Sequence, residues 1–353
     1  MLNLDSPDVY RQYDPEGMLT HIHNLPDMCR RAWQMAAAFE LPQDYASINK
    51  VVVLGMGGSA IGGDLVASLI TGEAKIPVFI HRDYGLPAFV DENSLVIASS
   101  YSGMTEETLS AFKQALVTDA KKLVVTTGGS LKALAEKQNI PVFSFDYKAQ
   151  PRTTLPFSFL SILNFMQRLG IIEAKDSDVA EAGVIFEQLA SEIKETVSVD
   201  SNKAKQLAHT LHGKMAIIYG AGITAGVARR WKTQLNENSK VWAFYETFPE
   251  LNHNAVVGYQ FPKGLASGTA IVMLKSNHLP PQIIRRYNIT AQLLNKAGIG
   301  YQMVEGLGKG ALAQILSLVL FGDYVSYYLA ILNCINPTPV ESIDFLKGEL
   351  GKK

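Results

Sequence analysis

The sequence predicts an α/β protein: two three-layer α/β/α domains of one design, each with a mainly parallel sheet. Three observations carry that reading. Apolar strand-like runs alternate with helical segments along most of the chain, the pattern of parallel strands joined by crossover helices. A buried-strand run, Val51–Leu54, breaks into a loop of small residues, Gly55-Met56-Gly57-Gly58-Ser59, with helical spacing resumed over Asp64–Ile70. The same order returns at Met215–Tyr219, which enters Gly220-Ala221-Gly222-Ile223-Thr224-Ala225-Gly226 and then a helix over Val227–Asn236. Two copies of a strand, glycine turn and helix imply duplication, and a length of 353 residues suits two cores.

Taken in order, residues 18–40 form a helical lead-in that ends near Leu41-Pro42. Strands are expected at Val51–Leu54, Ile76–His81, Ser94–Ser99, Leu123–Thr127 and Val142–Phe145, with helices at Glu106–Leu116 and Leu131–Lys137 between them. Pro151-Arg152-Thr153-Thr154-Leu155-Pro156 punctuates the end of this unit, so the first domain covers residues 1–156. Helices over Phe157–Leu169 and Val179–Val197 form a connection across residues 157–205, with Glu187, Glu192 and Glu195 on solvated faces. The second domain, residues 206–353, continues with strands at Val241–Phe244, Thr269–Leu274 and Gln302–Val304 and a helix over Gln282–Ala297. Ala311–Leu332 is the longest apolar stretch, and Gln314, Gly322 and Asp323 within it make it a buried helix rather than a membrane span.

Composition excludes several classes. The formal net charge of -1 gives no bulk attraction to nucleic acid or an anionic membrane. Cys29 and Cys334 are far apart and lack CxxC spacing, so they read as reduced, buried thiols rather than a disulfide or zinc framework. The first residues, MLNLDSPDVY, carry two aspartates and no apolar h-region, which points to a cytoplasmic protein without a signal peptide.

Two constellations carry chemistry. In the first, the Gly57-Gly58-Ser59 turn pairs with Ser100, Ser102 and Thr105; both follow buried strands and so open at the carboxyl edge of one sheet. Backbone N–H groups at a helix start, with hydroxyls from two adjacent loops, suit a small phosphate monoester. Thr105 is equally placed to cap the helix that follows. The stretch from Gly55 to Ala60 also satisfies G-x-G-x-x-A, with Asp83 near the place of a ribose-binding acid, which keeps a dinucleotide reading open. In the second constellation, Glu237 lies between Asn236 and Asn238 at a helix end, and His253 sits in the rigid polar turn Pro249–Asn254. A carboxylate and a histidine are the kit for proton abstraction beside a carbonyl. No H-E-x-x-H or similar carboxylate and histidine spacing points to a metal site, and His209 and His212 read as surface residues of a helical face.

The motifs Gly-Gly-Ser-x-x-Gly-Gly at 57–63, Ser-Tyr-Ser-Gly-x-Thr at 100–105, Pro-Arg-x-x-Leu-Pro at 151–156, Asn-Glu-Asn-Ser-Lys at 236–240, Phe-Pro-Glu-Leu-Asn-His-Asn at 248–254 and Pro-Thr-Pro-Val-Glu-x-Ile at 337–343 occur in order along nearly the whole chain. The sequence thereby resembles the bifunctional phosphoglucose/phosphomannose isomerase family, built of two sugar-isomerase (SIS) domains. The resemblance implies that Gly58, Ser59, Ser100, Ser102 and Thr105 hold the sugar phosphate. It implies that Glu237 moves a proton between C1 and C2 through a cis-enediol(ate), and that Arg152 stabilises the enediolate charge. His253, donated from a partner subunit, and Lys347 would assist ring opening, and Thr338 would admit either C2 epimer. Met104, where the family often has Asn, and Ala255, where it often has an acid, bear on substrate preference.

The expected activity is interconversion of glucose 6-phosphate or mannose 6-phosphate with fructose 6-phosphate. It needs no cofactor, because a proton moves between adjacent carbons with no net oxidation. A site shared between subunits implies a homodimer. The rival readings are a noncatalytic sugar-phosphate sensor on the same fold, an isomerase of another phosphosugar, and a dinucleotide-dependent oxidoreductase.

Overall fold

The computed structural model describes residues 2–352 and contains two parallel sheets. The lead-in is α1 (Pro7–Tyr13), α2 (Met18–His23) and α3 (Leu25–Ala38); Asn24 and Pro26 break the single helix that the pattern predicts. The first sheet is built from β1 (Lys50–Leu54), β2 (Val78–His81), β3 (Ser94–Ser99), β4 (Lys121–Thr126) and β5 (Val142–Ser144). Its helices are α4 (Gly57–Ile70), α5 (Glu106–Ala115) and α6 (Gly129–Lys137). Helices α7 (Leu155–Arg168), α8 (Asp176–Ile193) and α9 (Lys203–Leu211) follow. The second sheet contains β6 (Met215–Ala221), β7 (Ala243–Phe248), β8 (Thr269–Lys275) and β9 (Gly300–Glu305), with α10 (Ala225–Glu237), α11 (Leu265–Gly268) and α12 (Pro281–Ala297). The chain ends in α13 (Ala311–Leu332) and α14 (Glu341–Leu350).

Strand order is β2-β1-β3-β4-β5 in one sheet and β7-β6-β8-β9 in the other, and all pairs are parallel. The second is the first without its outer strand, which supports the duplication. Strand alternation divides the core. Val51 and Val53 join one apolar core that runs through α7 and α13 to Ala216 and Ile218 of β6. Val52 and Leu54 face the other way, against Ala111 and Phe112 of α5. In the second sheet Tyr219 and Ile271 do the same against Tyr287 of α12. Every residue of α13 from Leu312 to Leu320 and from Gly322 to Leu332 is buried, because the helix packs against α8, α9 and α10 at once.

Several expectations shift. Helix α4 begins at Gly57, so Gly57–Gly63 are helical rather than loop. Its glycines are a packing face: a Cβ on Gly62 would lie 2.7 Å from the Ser158 carbonyl carbon, and one on Gly63 2.8 Å from Ile80 Cδ1. Strand β7 lies two residues later than expected and extends to Phe248. Cys29 is buried, but Cys334 is exposed just past the end of α13. Glu187 and Glu192 are exposed, whereas Glu195 is partly buried and bonded to His23 at 3.0 Å.

Helices α4 and α10 cross at the seam between the halves. Gly226 permits the approach, since a Cβ there would stand 3.0 Å from the Asp64 carbonyl oxygen. Asp64 pairs with Arg82 on one side and with Arg229 of α10, at 3.2 Å, on the other.

Candidate active site

The carboxyl ends of β1 and β3 lie side by side, since Leu54 pairs with Ala98. Gly57, at φ 48°, turns the chain into α4 in a left-handed conformation that glycine adopts without steric cost. Ser59 Oγ accepts the Tyr101 N–H at 3.1 Å, so one hydroxyl already bridges the two loops. Thr105 stands at the N-cap of α5 but makes no side-chain cap bond; its hydroxyl pairs instead with Ser100 Oγ at 2.9 Å. Ser102 Oγ accepts the Met104 N–H at 3.2 Å. Gly103 holds this loop tight at φ 64°, where a Cβ would lie 1.8 Å from the Gly128 oxygen. The result is a cluster of hydroxyls and helix-start N–H groups at one sheet edge, with Ser100 itself buried, an arrangement that favours an anion.

Gly58 connects this edge to the second constellation. A Cβ there would fall 3.2 Å from both Arg152 Cα and the Pro151 oxygen, so the first turn of α4 lies directly on the turn that carries Arg152. The Arg152 side chain is only 2% exposed, and its donors are distributed with little slack. Nε donates to Asn238 Oδ1 at 2.6 Å, and Nη2 to the Pro337 and Thr338 carbonyls at 2.8 and 2.9 Å. Nη1 faces Glu237 Oε2 at 3.4 Å. Burial pulls the Arg152 pKa below its usual range and Glu237 opposes that shift, but a guanidinium so far above neutrality keeps its charge.

A further layer steadies this arginine. Arg230 donates from Nη1 to the Arg152 carbonyl at 3.2 Å and from Nη2 to both Asp323 oxygens at 2.9 and 2.7 Å. Gln234 Nε2 adds a bond to Asp323 at 2.9 Å. Burial pushes the Asp323 carboxyl up, and Arg230 pulls it back down. Asn238 Nδ2 and Ser239 Oγ anchor the end of α10 to Ser326 of α13 at 2.9 and 2.6 Å. Motif reading missed Arg230 and gave Gln234 no role. The signal was Asp323: a charge inside an apolar buried helix needs a partner.

Glu237 is the last residue of α10, with its side chain 24% exposed. It lines a cleft of about 580 Å³ together with Lys240, Asn336, Val340 and Glu341. Thr338 is buried beside it, and its hydroxyl has no hydrogen-bond partner among the described residues. Ser59, Ser100, Thr105, Arg152, Glu237 and Thr338 are thus joined through contacts within one chain. His253 and Lys347 are not. His253 is exposed on a 3-10 turn after β7, and Lys347 is exposed on α14; neither side chain bonds to a described residue.

Comparison with known proteins decides the family. Residues 200–350 match the family described as bacterial phospho-glucose isomerase C-terminal SIS domain. The chain is 41% identical over 336 residues to a bifunctional phosphoglucose/phosphomannose isomerase of Caldicellulosiruptor bescii, covering 95% of this chain and 99% of that one. The chain belongs to the bifunctional phosphoglucose/phosphomannose isomerase family. It is an isomerase. The protein of the same description from Aquifex aeolicus is 34% identical, over 89% of this chain and 94% of its own. Among solved structures, the C-terminal domain of glucosamine-fructose-6-phosphate aminotransferase from Francisella tularensis superposes with a TM-score of 0.69 at 16% identity, covering 91% of this chain and 98% of that one. This similarity shows the shared two-sheet fold.

Proposed function

We propose that this family member interconverts glucose 6-phosphate or mannose 6-phosphate with fructose 6-phosphate through a cis-enediol(ate). The observation that carries the proposal is the contact of Gly58 with the Arg152 turn, with Arg152 in turn paired to Glu237. That chain of contacts supports one substrate reaching from the hydroxyl-lined loops to a carboxylate. In this reading Gly58, Ser59, Ser100, Ser102 and Thr105 hold the phosphate of the open-chain sugar. The Glu237 carboxylate takes the proton from C2 of the aldose. The electron pair enters the C1–C2 bond, and the carbonyl oxygen becomes an enediolate oxygen facing Arg152. Glu237 then returns the proton to C1, and a proton passes from O2 to O1. A buried cation with its other donors already engaged is preorganised for that charge.

The unpartnered Thr338 hydroxyl supports a role in accepting either C2 epimer. The exposure of His253 without a partner among the described residues supports its use across a homodimer, where it and Lys347 would assist ring opening. The domain division is proposed at 1–156 and 206–353, with residues 157–205 between.

The test is isomerisation of fructose 6-phosphate by purified protein with EDTA present and no added cofactor, with both hexose products resolved. Glucose 6-phosphate and mannose 6-phosphate forming together is the expected result. Binding of fructose 6-phosphate with neither product would overturn the proposal in favour of a sensor or another phosphosugar.

A further inference from the structure

Lys240 belongs to none of the roles above, yet it lines the same cleft. It has φ 54°, one of three non-glycine residues with positive φ among those described. That left-handed conformation ends α10, at a place where glycine is the residue of least strain. The lysine nevertheless folds its side chain back to the helix end. Nζ donates to the carbonyl of Glu237 itself at 2.5 Å and to the Pro337 carbonyl at 3.0 Å. The Pro337 oxygen also accepts from Arg152 Nη2 at 2.8 Å, so both of its lone pairs are engaged by cations.

We propose that Lys240 is a positioning residue: its ammonium pins the Pro337–Thr338 segment to the end of α10 and so fixes the spacing of Glu237, Arg152 and the Thr338 hydroxyl. The inference rests on the isomerase reading for its kinetic consequence, but the clamp itself is a property of the fold. Arg152 alone holds the segment from the buried side, through two carbonyls. Lys240 holds it from the open side, where Glu237 and the cleft are. Without that second tie the segment pivots about Arg152, and the hydroxyl of residue 338 moves relative to the base.

The groups facing the ammonium are Arg152, Glu237, Glu341 at the start of α14, and Glu16 from the lead-in. Partial desolvation and the Arg152 charge bring the Lys240 pKa down to about 8, against the pull of the three glutamates. Below that value the ammonium is charged and both bonds are charge-assisted; above it the charge is lost and they weaken. The clamp therefore loosens on the alkaline side of neutrality.

Lys240→Gly is the informative variant, because it removes the ammonium while relieving the backbone. The expected outcome is a fall in kcat of roughly 10- to 100-fold, with KM changed by less than about threefold and an unaltered or higher Tm. Hydrogen exchange over residues 335–342 should lose protection by about 10-fold in the same variant. The wild-type decline of kcat near pH 8 should be absent in Lys240→Gly, and Lys240→Arg should restore most of kcat and shift the decline upward. Unchanged exchange over 335–342 in Lys240→Gly would overturn the clamp, and so would a lowered Tm that accounts for the lost turnover. If the wild-type protein isomerises no phosphosugar, the isomerase reading fails, and the exchange comparison still decides the clamp.

Discussion

Gly57 and Gly222 stand at the same step of two duplicated loops, with φ 48° and 46°, and each is followed two residues later by a hydroxyl. The two hydroxyls are used differently. Thr224 is fully buried; its Oγ1 accepts the Ala221 N–H at 2.9 Å and shares its proton between the Ala221 and Leu274 carbonyls, both at 3.0 Å. Ser59 is partly exposed and accepts the Tyr101 N–H, and its own proton has no acceptor among the described residues. Between glycine and hydroxyl, the first loop has Gly58 and the second has Ile223. Absence of a Cβ at 58 admits the Arg152 turn, whereas Ile223 packs against the main apolar core. Duplication supplied one frame, and two side-chain differences leave one loop with a partly exposed hydroxyl and the other closed on itself. In the proposed site the second half contributes the opposite end of its helix instead, through Glu237 and Lys240.

The comparison is sharpened most by removing the proposed base. Glu237→Gln keeps the shape of the α10 end, so sugar-phosphate binding should persist while turnover falls on the order of 10²- to 10⁴-fold. Retained turnover would move the base away from the second half. Next in size is Gly58→Ala, whose methyl must displace the Arg152 backbone. An arginine shifted by a few tenths of an ångström should lower kcat roughly 10-fold or somewhat more, with little change in Tm. Ile223→Ala, in the other loop, should instead lower Tm and leave kcat alone. Identical behaviour of the two variants would erase the distinction.

A smaller contrast lies in the hydroxyls. Ser100→Ala should raise KM for fructose 6-phosphate by roughly 10-fold, the loss of about one hydrogen bond to a charged group. Thr224→Val should leave KM unchanged but cost about 1–3 kcal/mol of stability, because it strands the buried Ala221 N–H. Urea unfolding beside steady-state kinetics reads both quantities. A Thr224→Val variant with wild-type stability and raised KM would mean that the second loop also meets ligand.

Most of the fold was legible because β-branched runs and small-residue turns are local signals. Where reading from sequence slipped, the deciding contact was distant. The start of α4 was hidden because Gly57–Gly63 lack amphipathic spacing; they are helical since α7 and the Arg152 turn need their bare backbone. The hydroxyls proposed to hold phosphate could be picked out as Ser/Thr-rich loops after buried strands, and Glu237 as a candidate base from its asparagine neighbours. Arg152 came only through the Pro-Arg-x-x-Leu-Pro motif of the family resemblance and not from local chemistry, since what distinguishes it is a set of partners at 237, 238, 337 and 338. Asp323 carried a usable hint as a charge in an apolar helix. Lys240 closed the Asn-Glu-Asn-Ser-Lys motif without a role, because its left-handed backbone and its bond to Pro337 exist only after folding.

Thr338 gives the smallest expected effect and the narrowest test. Its side chain is buried and its Oγ1 has no partner among the described residues, while its carbonyl holds Arg152 at 2.9 Å. An orphaned buried hydroxyl costs stability, so the near-isosteric Thr338→Val should be neutral or stabilising by about 1 kcal/mol. The carbonyl is retained, and with it the position of Arg152, so total turnover should change little. Only the ratio of mannose 6-phosphate to glucose 6-phosphate formed from fructose 6-phosphate should move, by about 2- to 10-fold, the range of one weak hydrogen bond. A gain in stability with an unchanged ratio would leave the hydroxyl without a part in epimer choice. A gain in stability with a shifted ratio would mean that the buried orphan is kept at the expense of the fold because the sugar is its missing partner.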